Sequence, residues 1–323
     1  MIEEATSIVF VAIPTFRRTE QLARLLKSIQ DQRAEAEAAH GIATVVLIVD
    51  NDPEQSARQP ATEFGATYIS QPERGLAAVR NTALTAASDA RADALVFIDD
   101  DELPHPAWLT TLVGRWRRGG AEFVSGRVVS TFAYPLDPWI DAGGFFRRVE
   151  FSDDSAMRSA PTNNLLIDVD FVKRHGLRFD PDFALSGGED IRLTSQAVAM
   201  GARIRAAPTA VIIDPVPAAR ATRGWVLRRA FRVGTTTARC SILLRRGGIE
   251  RLVSRFGWLV SGIARVGAGL LRLLLGAVSH NIVHRARGSR LVARGAGMCA
   301  GAFGVRYREY QARHTAATAG TLG

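Results

Sequence analysis

The chain has 323 residues, a formal net charge of +9, 47% hydrophobic and 23% charged residues, and two cysteines. This composition excludes a disordered protein, and the length predicts one large domain with an appendage, or two domains. Two cysteines exclude a disulfide framework and a zinc pattern, so we expect a reducing, cytosolic setting. The acidic first residues are not typical of a signal peptide.

The positive charge is confined to the C-terminal third. Residues 216–323 contain 19 arginines, no lysine and two acids, a net charge of +17, which leaves −8 for residues 1–215. The sequence therefore predicts a globular domain at 1–216 and a basic helical region at 217–323. Nucleic acid and an anionic membrane surface are the two partners that such a basic region could bind.

The first part of the chain alternates between strand-like and helix-like segments. Apolar runs typical of buried strands occur at 7–13, 44–49, 66–69 and 94–98. Helical patterns occur between them, at 19–40, with Thr19 as the expected N-cap, and at 75–87. This alternation predicts an α/β fold with a mostly parallel, mixed sheet flanked by helices.

Less regular segments follow the fourth apolar run. We expect helices at 105–118 and 189–200, strands at 121–131, 164–169 and within 203–214, and a long irregular stretch at 132–160. Pro215 and Pro217 mark the expected domain edge. Aromatic residues in the irregular stretch could stack on a sugar or pack in a core.

Polar side chains follow three of the apolar runs, at Pro14–Arg18, Asp50–Asp52 and Asp99–Glu102. Because parallel strands end at one edge of a sheet, these groups should meet in one crevice. Four consecutive carboxylates repel one another, and a divalent cation with oxygen ligands would neutralise them. A solvated acidic turn is the alternative. Arg80 could face the same crevice or be a surface residue.

Several enzyme classes lack their motifs in this sequence. No glycine-rich dinucleotide fingerprint, phosphate-binding loop or nucleophile elbow is present. The two lysines, Lys27 and Lys173, lie in helix-like settings, which argues against Schiff-base chemistry.

In order and spacing, five segments resemble the family 2 glycosyltransferases, which are nucleotide-sugar enzymes of the GT-A fold. They are Ile13–Arg18, Val49–Asp52, Arg74–Asn81, Phe97–Glu102 and Gly187–Asp190. The match covers about residues 7–215. The stretch from Phe97 to Leu109, with Gly187–Asp190 and Trp225–Gly234, is most similar to bacterial exopolysaccharide (succinoglycan-type) glycosyltransferases.

The resemblance implies a donor site with a bound Mn²⁺ or Mg²⁺. Asp99 and Asp101 would form an Asp-x-Asp pair, with Asp101 on a metal that bridges the diphosphate and Asp99 beside the ribose or metal. Asp50 would contact the nucleobase, although Asn51 replaces the second acid usual in the family. The residues implied to bind the nucleotide sugar are Pro14, Thr15, Arg17, Asp50, Arg80, Asp99 and Asp100.

The resemblance also implies an acceptor side. Asp190 would be the general base, with Glu189 beside it, at the positive N-terminus of a helix. One displacement with one base implies inversion at the anomeric carbon. A plain helix cap is the alternative for both acids. Asn163, Asn164 and Gly188 would line the acceptor side, with a polar turn as the alternative for the two asparagines.

A long helix is predicted over residues 251–284. One sector of about 120° holds Arg251, Arg255, Arg265, Arg272, His280 and His284, opposite a broad apolar face. Arginines in the middle of the helix disfavour a membrane span, so we expect it to lie in a membrane interface. Docking on the catalytic domain or on another subunit is the alternative. Nucleic-acid binding is disfavoured because no motif for it is present.

Together these features predict an inverting, metal-dependent glycosyltransferase. It would move a sugar from a nucleotide-diphosphate sugar to a lipid-linked or polysaccharide acceptor in exopolysaccharide or cell-surface glycan synthesis. It would be peripheral on the cytoplasmic face of the membrane. A metal-dependent nucleotidyltransferase and a non-catalytic scaffold with a sugar-nucleotide fold are the alternatives.

Overall fold

The computed structural model of the chain describes residues 7–183 and 187–306. These residues fall into two compact units. The sheet unit comprises Met1–Thr131, Arg148–Ala184 and Glu189–Pro215. The helical unit comprises Phe132–Arg147, Leu185–Gly188 and Val216–Gly323.

The sheet unit contains one mixed sheet. Among the described residues its nine strands are β1 Ser7–Thr15, β2 Ile42–Asp50, β3 Thr67–Ser70, β4 Ala94–Phe97, β5 Leu103–Pro104, β6 Phe123–Thr131, β7 Ala156–Met157, β8 Leu165–Asp168 and β9 Ile204–Pro215. Their order is β3-β2-β1-β4-β8-β6-β9-β5, and β7 pairs with β9. β1 to β4 pair in parallel, whereas β8 is antiparallel to β4 and β6. The predicted α/β fold with a mixed sheet is confirmed.

Helices occur in both units. In the described part of the chain they are α1 Thr19–His40, α2 Arg58–Glu63, α3 Leu76–Asp89, α4 Trp108–Arg117, α5 Pro138–Gly143, α6 Val169–Arg174, α7 Glu189–Ala199, α8 Arg223–Leu243, α9 Gly248–Val278 and α10 Ile282–Ala302. α5 and α8 to α10 belong to the helical unit. Two short 3₁₀ turns, Pro181–Phe183 and Ala218–Arg220, complete the regular structure.

Side chains alternate across β1 and contribute to a separate core on each face of the sheet. Val9, Val11 and Ile13 belong to a core with α1 and α4. Phe10 and Ala12 belong to a second core with α3, α6 and α7. Because both faces are covered, the central strands are apolar throughout. Polar groups are therefore concentrated where the strands end.

The start of α1 differs from the expectation that Thr19 caps it. The helix begins at Thr19, and Arg18 holds the N-cap position without a side-chain capping hydrogen bond. The preceding residue, Arg17, has a left-handed backbone with φ 53°. This conformation directs the chain past the carboxyl edge of the sheet before the helix starts.

The stretch at 132–160 is more ordered than the sequence indicates. It contains α5, whose N-cap Asp137 accepts a hydrogen bond from the Trp139 amide, and the short strand β7. Trp139 and Phe145 are both 9% exposed and stack with ring centroids 5.2 Å apart. These two aromatic residues form the core of the helical unit with Val226, so packing rather than sugar stacking explains them.

The helix predicted over 251–284 is two helices. α9 ends at Val278, and the Asn281 side chain caps α10 by accepting hydrogen bonds from the amides of Val283 and His284. His280 therefore lies in the turn and His284 on α10, so neither histidine belongs to the arginine stripe of α9. An asparagine N-cap was the sequence signal for this break.

α9 and α10 pack through glycines seven residues apart. The buried glycines of α9 are Gly262, Gly269 and Gly276. A Cβ atom at Gly262 would lie 2.8 Å from the Gly295 carbonyl oxygen, and one at Gly269 would lie 2.8 Å from the Gly288 oxygen. The two backbones are thus in direct contact, as in helix pairs that associate through small residues.

The opposite face of α9 is apolar and exposed. Its members include Leu252, Phe256, Ile263, Leu270, Leu274 and Val278, which are each between 55% and 76% exposed. In the described chain, α9 is the one helix that is long and apolar enough to cross a membrane by length and composition. Only 17% of its most apolar window is buried. The helix therefore presents an apolar surface for which the rest of the described unit provides no cover.

Candidate active site

The polar strand ends meet at the carboxyl edge of the parallel strands. Thr15 at the end of β1 lies opposite Asp50 at the end of β2, and β1 also pairs with β4 through Ala12 and Phe97. Asp99–Glu102 follows directly after β4. The sheet thus brings together three of the segments that the sequence singled out.

Thr15 and Arg18 hold the acidic turn. The Thr15 hydroxyl donates to Asp100 Oδ2 at 2.8 Å. Arg18 Nη1 donates to Asp100 Oδ1 at 2.7 Å and to Asp101 Oδ2 at 2.8 Å. Desolvation lowers the pKa of the Arg18 guanidinium, but Asp100 and Asp101 outweigh it and raise that pKa. Arg18 was not among the predicted binding residues, and no sequence signal distinguishes it from Arg17.

Arg17, which was predicted to bind the nucleotide sugar, lies elsewhere. Its Nε donates to Asp52 Oδ1 at 3.0 Å and its Nη2 donates to Glu54 at 2.7 Å. Its side chain is 51% exposed. The left-handed backbone at Arg17 turns its side chain to the loop after β2 and leaves the acidic turn to Arg18.

Glu102 and Asn163 form hydrogen bonds that stabilise the acidic turn. Glu102 Oε2 accepts from the Asp99 amide at 3.1 Å, and Glu102 Oε1 accepts from Asn163 Nδ2 at 2.7 Å. Burial, and then the charge of Asp99, raise the pKa of Glu102 well above its usual value. Glu102 is 2% exposed, so its role is to shape the turn. Asn163 is half-buried.

The remaining carboxylates of the turn differ in exposure. Asp100 is 4% exposed, whereas the side chains of Asp99 and Asp101 are 38% and 21% exposed. Desolvation in the crevice raises the pKa of Asp99 to about 6; Arg80 opposes this shift, and Asp101 and Asp100 add to it. Burial also raises the pKa of Asp100. The turn therefore holds negative charge that its surroundings do not fully compensate.

Arg80 connects the acidic turn to α7. Its Nη2 lies 3.7 Å from Asp99 Oδ1, and its Nη1 donates to Glu189 at the first position of α7. Its guanidinium also lies 5.8 Å from the centre of the Phe179 ring. Arg80 is 5% and Glu189 2% exposed. The surface alternative for Arg80 is wrong, and Glu189 acts as the anionic partner that holds this arginine.

Asp190 follows Glu189 in the first turn of α7 and is half-buried. Its Oδ1 accepts from the amide of Ile191 at 2.6 Å. No described residue donates a hydrogen bond to Asp190 Oδ2. Of the two acids predicted at this helix start, Asp190 is the more exposed, since Glu189 is 2% exposed.

Two predicted donor-binding residues are structural. Asp50 is fully buried; its Oδ1 accepts from the Asp52 amide at 2.9 Å, and its Oδ2 accepts from the Ala57 amide at 2.9 Å and the Tyr68 hydroxyl at 3.0 Å. Desolvation, and then Asp50, raise the pKa of Tyr68 to about 12. Asp50 thus shapes the loop after β2, and its contact with a nucleobase stays a prediction. Pro14 is buried within β1, opposite Val49.

Two predicted acceptor residues are structural as well. Asn164 is fully buried, accepts from Trp108 Nε1 at 2.7 Å and donates to the Ala210 carbonyl at 2.8 Å. Within the helical unit, Gly188 has φ 98°, and a Cβ there would lie 2.0 Å from Thr236 Cγ2. Backbone conformation and this contact explain the glycine. Direct acceptor contact by these two residues stays a prediction.

The residues present fit a divalent cation held jointly with a substrate. Among the described residues, no three His, Cys, Asp or Glu side chains form a ready-made metal site. Mg²⁺ needs no such cage, because it commonly binds one or two carboxylates together with substrate phosphates. Asp99 and Asp101 are the partly exposed acids of the turn, and burial in the crevice raises the pKa of Asp99, as expected for negative charge that is not fully compensated.

Known proteins resemble this chain in sequence. The sequence model of glycosyl transferase family 2 matches residues 10–173. The succinoglycan biosynthesis protein ExoM of Rhizobium meliloti is 31% identical over 235 residues, covering 71% of this chain and 74% of the relative. The glycosyltransferase AglE of Haloferax volcanii is 27% identical over 262 residues, covering 79% and 80%.

Solved structures resemble it in fold. A mannosyltransferase from Pyrobaculum calidifontis, in complex with GDP-Man and Mn²⁺, has a TM-score of 0.57 and 17% identity, over 88% of this chain and 85% of that one. GalNAc-T7 with UDP, GalNAc and Mn²⁺ has a TM-score of 0.52 and 13% identity, over 73% and 51%. The resemblance and the GT-A fold expected from the sequence are confirmed. The chain is a glycosyltransferase and belongs to family 2.

Proposed function

We propose that this glycosyltransferase catalyses metal-dependent, inverting transfer from a nucleotide-diphosphate sugar to a lipid-linked or polysaccharide acceptor. The observation that carries the proposal is the acidic turn Asp99–Glu102, which Arg18 and Arg80 contact at the carboxyl edge of the sheet. Carboxylates for a cation and guanidinium groups for phosphate oxygens are the groups that a metal-bound diphosphate requires.

On the donor side, Asp101 and Asp99 would hold Mn²⁺ or Mg²⁺, and Arg18 and Arg80 would contact phosphate oxygens. A bound cation neutralises charge on the departing diphosphate. Asp101 Oδ2 accepts from Arg18, which leaves its Oδ1 for this purpose. Both similar solved structures contain Mn²⁺. Thr15 and Asp100 act by positioning, since their side chains bond each other.

On the acceptor side, Asp190 would be the general base. The acceptor oxygen forms a bond to the anomeric carbon while the bond from that carbon to the diphosphate oxygen breaks. The acceptor proton passes to Asp190, and the diphosphate leaves with the electron pair. Attack from the face opposite to the leaving group inverts the anomeric carbon. The position of Asp190 in the first turn of α7 places its carboxylate near the positive end of the helix dipole.

We also propose that the enzyme builds a cell-surface polysaccharide at the cytoplasmic face of the membrane. The name of the relative from Rhizobium meliloti refers to succinoglycan biosynthesis. The exposed apolar face of α9, with Arg251 and Arg255 also exposed at its N-terminal end, fits a helix lying in a membrane interface. Anionic headgroups would complement the arginines.

A donor screen tests the catalytic proposal. Nucleotide sugars are incubated with the full chain, with and without Mn²⁺, and release of the nucleotide diphosphate is measured. We expect the wild-type chain to turn over at least one nucleotide sugar and to require the cation for this activity. The Asp101→Asn variant should lose most of the activity and should no longer respond to the cation. Asp153→Asn, an exposed carboxylate of the same unit, is the control. Equal activity with metal removed would refute the metal-dependent mechanism.

Vesicle flotation tests the membrane proposal separately. Phe256→Glu with Leu274→Glu changes two exposed side chains, so folding should survive. We expect the wild-type chain to float with vesicles of phosphatidylcholine and phosphatidylglycerol and the double variant to remain in solution. Flotation of the variant at the wild-type level would show that α9 is not the attachment site.

A further inference from the structure

We propose that Arg265 of α9 and Arg294 of α10 form a binding site for the terminal phosphate or diphosphate headgroup of a membrane lipid. The inference rests on the proposed membrane attachment of the helical unit. It names the headgroup chemistry and the two residues that recognise it, which the amphipathic pattern alone leaves open.

The helical unit offers these two arginines no anion of their own. Its described acids are Asp137, which pairs with Arg223, Asp141, which is exposed on α5, and Glu250, which lies in the first turn of α9. Glu250 is 15 positions before Arg265, which corresponds to about 22 Å along a helix. No carboxylate lies within ion-pair distance of Arg265 or Arg294 in the described chain. An anion from outside the unit would supply the missing charge.

Other arginines of α10 have partners within the unit. Arg287 Nε donates to the Ala142 carbonyl at 3.4 Å, and Arg290 Nη1 donates to the carbonyls of Gly143 and Gly144 at 3.1 and 2.7 Å. These carbonyls lie at the C-terminal end of α5, where a positive side chain is favourable. Arg287 and Arg290 are thus explained by structure, and Arg294 is not.

The guanidinium of Arg294 is in an unfavourable environment that a bound anion would improve. Its Nε is buried and has no hydrogen-bond partner. Burial and the nearby charge of Arg265 lower the pKa of its guanidinium. An unsatisfied buried donor on a charged group destabilises the fold more than one on a neutral group, and an anion bound beside the guanidinium would offset this cost.

The glycine contacts between α9 and α10 place Arg265 next to Arg294. A Cβ atom at Gly295, the residue after Arg294, would lie 3.0 Å from the Cβ of Arg265. Only a glycine lets α9 place an arginine this close to the α10 backbone. Arg265 Nη1 donates to the Ser261 carbonyl at 3.2 Å, and its remaining N–H groups are available for an anion.

The site lies across α9 from the apolar face proposed to enter the membrane. At 100° per residue, Arg265 lies beside the glycine seam and on the far side of α9 from its exposed apolar face. A lipid at α9 would therefore have its acyl chains against the apolar face and its headgroup near Arg265. Two guanidinium groups complement the dianion of a terminal phosphate or diphosphate better than the single charge of a phosphodiester.

Vesicle flotation of the full chain, with a control variant that loses the same charge, tests this site. Vesicles contain phosphatidylcholine with either phosphatidic acid, a phosphomonoester, or phosphatidylglycerol, a phosphodiester, at matched surface potential. We expect the wild-type chain to prefer phosphatidic acid by about tenfold, the factor that corresponds to one strong charge-assisted bond. Arg265→Gln with Arg294→Gln should abolish the preference. Arg245→Gln with Arg246→Gln, at exposed positions between α8 and α9, should retain it.

Lysine variants provide a second test in case the Arg→Gln substitutions disturb helix packing. Arg265→Lys with Arg294→Lys conserves charge but cannot form paired guanidinium bonds, so the preference should fall while circular dichroism and thermal unfolding remain those of the wild type. Equal preference in the wild type and in both Arg265/Arg294 variants would overturn the site. Glycerol phosphate in solution provides the other arm: protection of the wild type from thermal unfolding without any vesicle preference would identify a free phosphate site and reject the lipid.

The outcomes separate this site from the broader proposal. Binding to all vesicles without a headgroup preference would remove the Arg265–Arg294 site and leave membrane attachment intact. Absence of vesicle binding would remove both. Sugar transfer measured with a soluble acceptor depends on neither result.

Discussion

The sheet unit and the helical unit carry opposite excess charges. In the sheet unit, carboxylates cluster at one edge of the sheet and arginines partly compensate their charge. In the helical unit, arginines are numerous and few acids are present to compensate them. Arg18 and Arg80 contact the carboxylates of Asp99–Glu102. Arg294 instead lies beside another arginine and has a buried Nε without an acceptor. The sign of the uncompensated charge is the basis of the ligand proposed for each unit: a cation with a diphosphate for one, and a phosphate for the other.

The largest expected effect is on catalysis and concerns Asp190, the proposed reactive acid of the sheet unit. Asp190→Asn should lower kcat by about 10²–10⁴-fold, because it removes the proposed general base. Thermal unfolding should change little, since the Asp190 side chain accepts a local hydrogen bond from its neighbour Ile191. Steady-state kinetics with a defined donor measure the effect. Undiminished kcat would remove Asp190 from the mechanism.

The second prediction concerns the best-compensated charge pair of the sheet unit. Arg80→Met should lower the free energy of unfolding by about 3–5 kcal/mol, because it leaves the carboxylate of Glu189 buried without this partner. Arg33→Met breaks the exposed pair with Glu37 and should cost at most about 1 kcal/mol. Urea unfolding compares the two. A double variant, Arg80→Met with Glu189→Met, should recover part of the loss.

The third prediction addresses the helical unit, where shape rather than charge pairing holds α9 to α10. Gly262→Ala should destabilise the unit by about 1–3 kcal/mol, because the new methyl group would lie 2.5 Å from Cys299 Sγ and 2.8 Å from the Gly295 oxygen. Gly267→Ala, on the open side of the same helix, meets nothing within 4 Å and should stabilise by up to about 1 kcal/mol. Opposite shifts in thermal unfolding are the expected result.

The smallest expected effect is a pH dependence of the sheet unit. Burial in the crevice raises the pKa of Asp99 to about 6, above the ordinary value of about 3.9 for an aspartate. Between these values the folded chain binds more protons than the unfolded chain, so stability should fall as pH rises through that window. Without added metal, the unfolding temperature should be higher at pH 5.5 than at pH 7.5, and Asp99→Asn should flatten the difference. Mn²⁺ should raise it more at pH 7.5, where the carboxylates are ionised.

Much of the sheet unit follows from periodicity. The runs at 7–13, 44–49 and 94–98 are strands because both faces of the sheet are covered, and polar residues after them necessarily share an edge. The exchange of roles between Arg17 and Arg18 does not follow, because it depends on a left-handed backbone at Arg17. Periodicity also cannot show that Asp50 has all its acceptors filled by local donors.

The helical unit was harder to predict. An apolar pattern continues across Val278, so the sequence indicates one helix where α9 and α10 meet at a turn. The burial of Arg294 also depends on tertiary packing, because its charge would ordinarily place it at the surface. The glycines were visible in the sequence, but their partners across the helix pair were not.

The spacing of Gly262, Gly269 and Gly276 has a consequence for how this helix pair can change in length. Loss or gain of one residue in α9 would rotate every later residue by about 100° and turn apolar side chains or arginines towards the α10 backbone. A change of seven residues would return each glycine and each lipid-facing side chain to its own side. Insertions and deletions in the hairpin of α9 and α10 should therefore be tolerated in multiples of seven, matched in both helices.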